Sequence, residues 1–159
     1  MPWPDPLVLA TLDRVLPRVA RLPRRLQATV LRPLLQAALA APIRAGRFDV
    51  LGGRWIRIEV TDLHIGWSLR VTGGRLGLDA RAPAEARVAA AWRDLLMLAS
   101  RHEDPDALFF RRRLVIDGDT ELGLAVKNLI DGLDAQELPR PVWSALRRLG
   151  EEAAREGAP

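Results

Sequence analysis

Cysteine is absent from the chain of 159 residues. That excludes disulfides, thiolate metal sites and a cysteine nucleophile, and it leaves the redox compartment undetermined. Histidine occurs only at His64 and His102, so a metal site would have to draw most of its ligands from carboxylates. Lys127 is the single lysine. Arginine therefore does almost all the basic work, a bias that genomic base composition produces without any functional demand. Long apolar runs are missing too. The longest uncharged stretch, Pro33 to Ile43, is 11 residues, against the roughly 20 that a membrane-spanning helix needs. No secretory signal is visible, since Asp5 precedes the apolar stretch from Leu7 to Leu12 and the first arginine, Arg14, follows it. A soluble cytoplasmic protein is expected, with one domain and a real hydrophobic core.

What is present begins with an uneven charge. The formal net charge of +4 conceals eight arginines within residues 1–48 (14, 18, 21, 24, 25, 32, 44 and 47) against only Asp5 and Asp13. The basic end suits an anionic partner such as lipid headgroups, nucleic acid or an acidic protein. Residues 1–45 are expected to form short helices punctuated by Pro17, Pro23, Pro33 and Pro42. Leu9, Leu12, Leu16, Val19 and Leu26 recur at helical spacing, as do Arg14, Arg18, Arg21 and Arg25. On one continuous wheel the two sets would lie about 140° apart, although Pro17 and Pro23 interrupt or kink it.

A strand-rich section follows. "RWIRIEV" (54–60) places Ile56, Ile58 and Val60 on one face. "LHIGWSLRV" (63–71) alternates Leu63, Ile65, Trp67, Leu69 and Val71 with His64, Gly66, Ser68 and Arg70, the period of two of a half-buried antiparallel strand. Gly73-Gly74 makes a hairpin into "RLGLDAR" (75–81), and "ARVAAA" (86–91) and "RRLVID" (112–117) complete five strands. "DLLMLASR" (94–101) predicts a buried helix capped by Asp94. Asp104-Pro105-Asp106 starts a turn or short helix, residues 120–133 form a longer one, and another carries Val142, Trp143, Leu146 and Leu149 before a solvated tail. No internal repeat is visible.

The acidic cluster Asp117, Asp119 and Glu121 resembles a metal or phosphate site at first sight. Asp119 stands directly before a helix, however, where a carboxylate satisfies free backbone N–H groups and opposes the helix dipole. Capping is the expected role, and no metal site is assigned. Ser68, Ser100 and Ser144 sit in no nucleophile-elbow context, and "TGGRLG" lacks the lysine of a phosphate loop. No catalytic residue and no cofactor follow. Arg111, Arg112 and Arg113 are expected to alternate across a strand, so they cannot form one patch. Leu124 lies opposite the apolar stripe of Leu122, Val126, Leu129 and Leu133; it is either a stray exposed leucine, which is common, or a sign that the helix is covered on both sides, by the N-terminal helices in preference to a bound apolar molecule.

The segments "RFDVLGGRWIRIEVTDLHIGW" (47–67), "DLLMLASR" (94–101) and "DPDALFFRRRLVIDGDTELGLAVKNLIDGL" (104–133) together resemble the sterol carrier protein type 2 (SCP2) domain superfamily. Within it, the chain is most similar to bacterial ubiquinone biosynthesis accessory factors. The resemblance covers roughly residues 20–138, and its most specific part is the strand–Gly-Asp–helix segment at 114–129. It implies an α+β fold, a five-stranded mainly antiparallel sheet packed with helices around an apolar lipid tunnel, without catalysis. It further implies a role in the oxygen-independent route to ubiquinone, presenting prenylated intermediates to modifying enzymes beside the oxygen-independent hydroxylation proteins.

The expected organisation is a basic amphipathic helical segment (1–45), the lipid-binding core (46–137) and a C-terminal helix with its tail (138–159). Candidate tunnel residues are Ile65, Trp67, Leu95, Leu96, Leu108, Phe109, Phe110, Leu122, Val126 and Leu129, although a cavity wall and an ordinary core look identical in sequence. Arg14, Arg18, Arg21 and Arg25 are the candidate surface for the inner membrane or a partner. Three alternatives remain: a general phospholipid or fatty-acyl carrier, a small lipid-modifying enzyme, and a nucleic-acid-binding module. The last lacks a recognition helix and aromatics interleaved with the basic residues, so no nucleic acid partner is expected.

Overall fold

The computed structural model describes residues 7–157. The first six residues of the basic segment and the last two of the tail lie outside this range. Two helices lead, α1 (Leu7–Val19) and α2 (Arg24–Ala38), followed by the short α3 (Ala40–Arg44). Four strands come next: β1 (Ile56–Val60), β2 (Ile65–Thr72), β3 (Arg75–Asp79) and β4 (Ala86–Ala90). Then come α4 (Trp92–Ala99), α5 (Pro105–Phe110), β5 (Leu114–Gly118), α6 (Thr120–Gly132) and α7 (Arg140–Glu156).

The sheet runs β3-β2-β1-β4-β5, with β1 and β4 parallel and the other pairs antiparallel. Register aligns Trp67 with Ile58 and Ile58 with Val88. One face is consequently apolar across every strand, and α6 lies on it, with Gly123 close against Ile116. The hairpin turn uses Gly73 and Gly74 at φ 55° and 73°, the left-handed region in which glycine carries no steric penalty.

The other face is charged. Arg57 bonds Glu59 at 3.0 Å, Arg87 bonds Glu59 at 2.8 Å and Asp117 at 2.8 Å. Gly66 stands beside Glu59 because a Cβ there would come within 2.9 Å of the Glu59 side chain. Ser68, expected on a half-buried polar face, is fully buried. The β3–β4 connection must cross back over β2 and β1, and Ser68 donates to the Ala82 carbonyl of that connection at 2.6 Å.

Two apolar clusters form. The larger fills the space between the sheet and α6 with Leu108, Leu114, Leu122 and Val126. The smaller joins α1, α4 and α7 through Leu9, Leu96 and Ala153. Where a solvated tail was expected, α7 continues to Glu156 because Ala153 is buried in that second cluster.

Several local expectations change. Of the four prolines expected to punctuate the N-terminal segment, Pro17, Pro33 and Pro42 lie inside helices and Pro23 stands at the start of α2. Gln27 and Gln36 tie α2 down at both ends. Gln27 donates to the Val19, Ala20 and Leu22 carbonyls, while Gln36 accepts from Leu76 N–H on β3 at 2.7 Å. These tertiary bonds help offset what Pro33 removes from the helix. Asp94 does not cap α4: Asp62 accepts from Trp92 N–H at 3.0 Å, while buried Asp94 ion-pairs with Arg113. The arginine triplet precedes β5 instead of lying in it. Arg111 ends α5, Arg112 has φ 58°, and Arg113 turns back to Asp94. Leu124 is 57% exposed, the stray exposed leucine of the two readings open for it.

Candidate functional site

An apolar cavity of about 450 Å³ opens where the two clusters meet. Its walls come from α2 (Leu35, Ala38, Leu39), Pro42 of α3, α4 (Leu95, Leu98, Ala99), the end of α6 and the following turn, and α7 (Val142, Leu146). Thirteen of its fifteen lining residues are apolar; Arg101 and Asp134 are the charged ones. The volume falls in the range of about 300–1,000 Å³ typical of small-molecule sites. No strand contributes to the wall, so the hollow is bounded by helices rather than lying between sheet and helices.

Leu95 is the one candidate from sequence that lines this cavity. Leu108, Leu122 and Val126 fill the main core, with Leu129 packed against it, and Leu96 belongs to the second cluster. Trp67 lies opposite Ile58 on the inner sheet face, and its indole N–H is buried without a partner among the described residues. Ile65 borders a separate polar depression with Arg24, Glu59 and His64. Phe109 and Phe110 stack edge to face at 5.9 Å on the outside, Phe110 being 80% exposed. α5 is under two turns long, so it buries Leu108 and Pro105 and has no inward direction left for the two rings.

Sequence reasoning missed Leu35, Leu39, Ile130, Leu133 and Leu138. Leu35, Leu39, Ile130 and Leu133 look like ordinary helix-face packing and Leu138 like part of a connection, and only the assembly of the helices reveals a gap between them. The Pro33–Ile43 stretch, flagged for its lack of charge, was the available signal.

Asp119 caps α6, its Oδ1 accepting from Leu122 N–H at 2.8 Å. That bond, with Arg54 nearby at 3.5 Å, holds its carboxyl below the ordinary value. Asp117 is engaged by Arg87 instead. Among the described residues no group of three or more metal-ligating side chains occurs. Ser100 and His102 lie 3.0 Å apart, but Ser100 is buried beneath α7, where Gly150 leaves just enough room for its hydroxyl. That pairing serves helix contact.

The four arginines do not share one helix. Arg14 and Arg18 lie on α1, Arg21 in the turn and Arg25 on α2, all exposed. The same segment also exposes Val15, Val19, Leu22, Leu26, Val30 and Leu34, each 42–62% accessible. No helix among the described residues is long and apolar enough to cross a membrane.

A five-stranded sheet backed by helices, with an apolar hollow walled by helices, makes up this α+β architecture, and residues 34–131 match the SCP-2 sterol transfer family. The chain belongs to that family. Its sequence is 40% identical over 139 residues to the ubiquinone biosynthesis accessory factor UbiT of Escherichia coli K12, covering 86% of this chain and 80% of that one. The UbiT proteins of strains O6:H1 and O157:H7 match equally. A solved structure described as UbiJ-SCP2 ubiquinone synthesis protein superposes with a TM-score of 0.54 at 22% identity, covering 68% of this chain and 96% of that one. At that identity it supports the fold alone.

Proposed function

We propose that this protein is a non-catalytic, lipid-binding accessory factor of ubiquinone biosynthesis. It shields the prenyl tail of an intermediate and presents the aromatic head to modifying enzymes, including the hydroxylation proteins of the oxygen-independent route. The cavity between α2, α4, α6 and α7 is the observation that carries this reading, and the UbiT likeness supports the pathway. Transferring an apolar tail from water into such a hollow stabilises it by about 0.8 kcal/mol per CH₂. Leu95 and Leu39 provide tail contacts there, while the deeper Leu108, Leu122 and Val126 hold the fold.

The α1–α2 segment is the proposed membrane face. Its exposed apolar side chains share this segment with the exposed Arg14 and Arg18 of α1, Arg21 of the turn and Arg25 of α2. Such a helix pair lies in the interface of an anionic bilayer, with the apolar side chains among acyl chains and guanidinium groups at the phosphates.

Native mass spectrometry of protein purified from ubiquinone-producing cells tests the carrier role. A co-purifying prenylated aromatic supports it. Phospholipid or fatty acid alone would favour the general carrier. Protein that is empty and takes up no added prenylphenol would end both. Ala38→Phe, which fills the cavity from α2, should abolish uptake without unfolding the chain.

A further inference from the structure

The cavity wall carries two charged residues, Arg101 and Asp134. They are not equivalent. Asp134 accepts from Gln136 N–H at 2.8 Å and caps the turn after α6. The neighbouring cation at that turn, Arg47, is held by Glu137 at 2.6 Å. Arg101 makes a single long bond, donating to the Asp131 carbonyl at 3.4 Å, and has no carboxylate within ion-pair distance among the described residues. An arginine in that position has most of its five donors available on the edge of an apolar hollow.

Its backbone setting is also informative. Arg101 follows α4 at φ 62°. Its N–H bonds the Leu98 carbonyl at 3.2 Å, and His102 N–H bonds the Met97 carbonyl at 3.0 Å. That is a Schellman ending, whose left-handed position favours glycine. Arg112 occupies the same position after α5, but it borders no part of this cavity. The side chain of Arg101 is thus carried on a backbone for which it is a poor choice, beside an opening that an apolar tail would enter.

Resting on the carrier reading above, we propose that Arg101 selects the head of the ligand: its guanidinium receives the carboxylate or phosphate monoester of an anionic amphiphile whose tail occupies the cavity. A neutral alcohol with the same tail gains the burial but loses the charge-assisted, bidentate contact. Preference for charged over neutral heads is then a property of this one side chain.

Displacement of the neutral fluorophore N-phenyl-1-naphthylamine from the full chain tests this, with oleate, oleyl phosphate and oleyl alcohol as competitors. The wild type should bind at least one of the two anions about tenfold more tightly than the alcohol. Which anion is preferred distinguishes a carboxylate head from a phosphate one. Arg101→Gly should bring anion and alcohol to equal affinity while the fluorophore still binds and Tm holds or rises, because glycine suits the left-handed site. Arg101→Lys should retain part of the preference. If the wild type does not bind the fluorophore, the carrier reading fails. If the fluorophore binds but all three competitors are equal, or Arg101→Gly keeps the preference, the head-group assignment fails alone. A lower Tm with unchanged preference would make Arg101 a helix-end residue only.

Discussion

Glu59 sits between Arg57 and Arg87 on the charged sheet face, and the bond from Arg87 is the largest influence holding its carboxyl below the ordinary value of 4.5. A carboxylate depressed by folding adds stability above its unfolded pKa and loses it as pH falls through the folded one. Tm should therefore drop on acidification below about pH 4.5, and Glu59→Gln should lower Tm at neutral pH and flatten that part of the acid profile. A thermal-melt series across pH checks it; an unaltered acid limb in the variant would show the ladder to be decorative, as single surface pairs often are. Individual residues were unevenly legible. The role of Asp119 followed from its place before a helix, since capping is a local matter. Asp94 looked equally like a cap, yet its partner is Arg113, 19 residues away, and no local pattern announces a partner at that distance.

Helices and strands were visible wherever burial follows a period. All five strands and α6 fall where alternation or an apolar stripe places them, to within a few residues. The proline-containing helices are different, because they depend on anchors outside themselves. Gln36 is such an anchor: it accepts from Leu76 N–H on β3, the strand at one edge of the sheet. Gln36→Ala would leave a buried donor without a partner, at a cost of about 1–3 kcal/mol. Hydrogen exchange at Leu76 should accelerate correspondingly; unchanged protection there would mean that α2 shields the strand without bonding to it. Continuation of α7 to Glu156 has the same origin, since Ala153 gains its stabilisation only from contact with α1 and α4.

At the scale of the molecule, the second cluster decides whether a hollow exists. Leu9 is fully buried and packs α1 with α4 and α7, while α7 also forms one wall of the cavity. Leu9→Ala should destabilise the fold by about 2–5 kcal/mol, measured by urea denaturation. It should also weaken fluorophore binding, because α7 loses its backing; stability loss without any change in binding would show that the two clusters act independently. The exposed α1–α2 segment belongs to this scale as well. Co-sedimentation with phosphatidylglycerol vesicles should fall with added salt and be lost in Leu26→Glu/Val30→Glu, whereas persistent binding by that double variant would exclude the exposed apolar side chains as the contact.

Strand alternation, the glycine hairpin, the Asp119 cap and the basic N-terminal end are all consequences of neighbouring residues, so the amino-acid order alone sufficed to specify them, and with them the α+β class. Placement of the cavity required the assembled fold. A leucine facing another helix and a leucine facing a void obey the same helical period, and the difference between them is set by how closely four distant segments approach. For that reason the sequence offered Leu95 only as one of ten apolar candidates, and Leu39, Leu133 and Arg101 took their places at the cavity only in three dimensions.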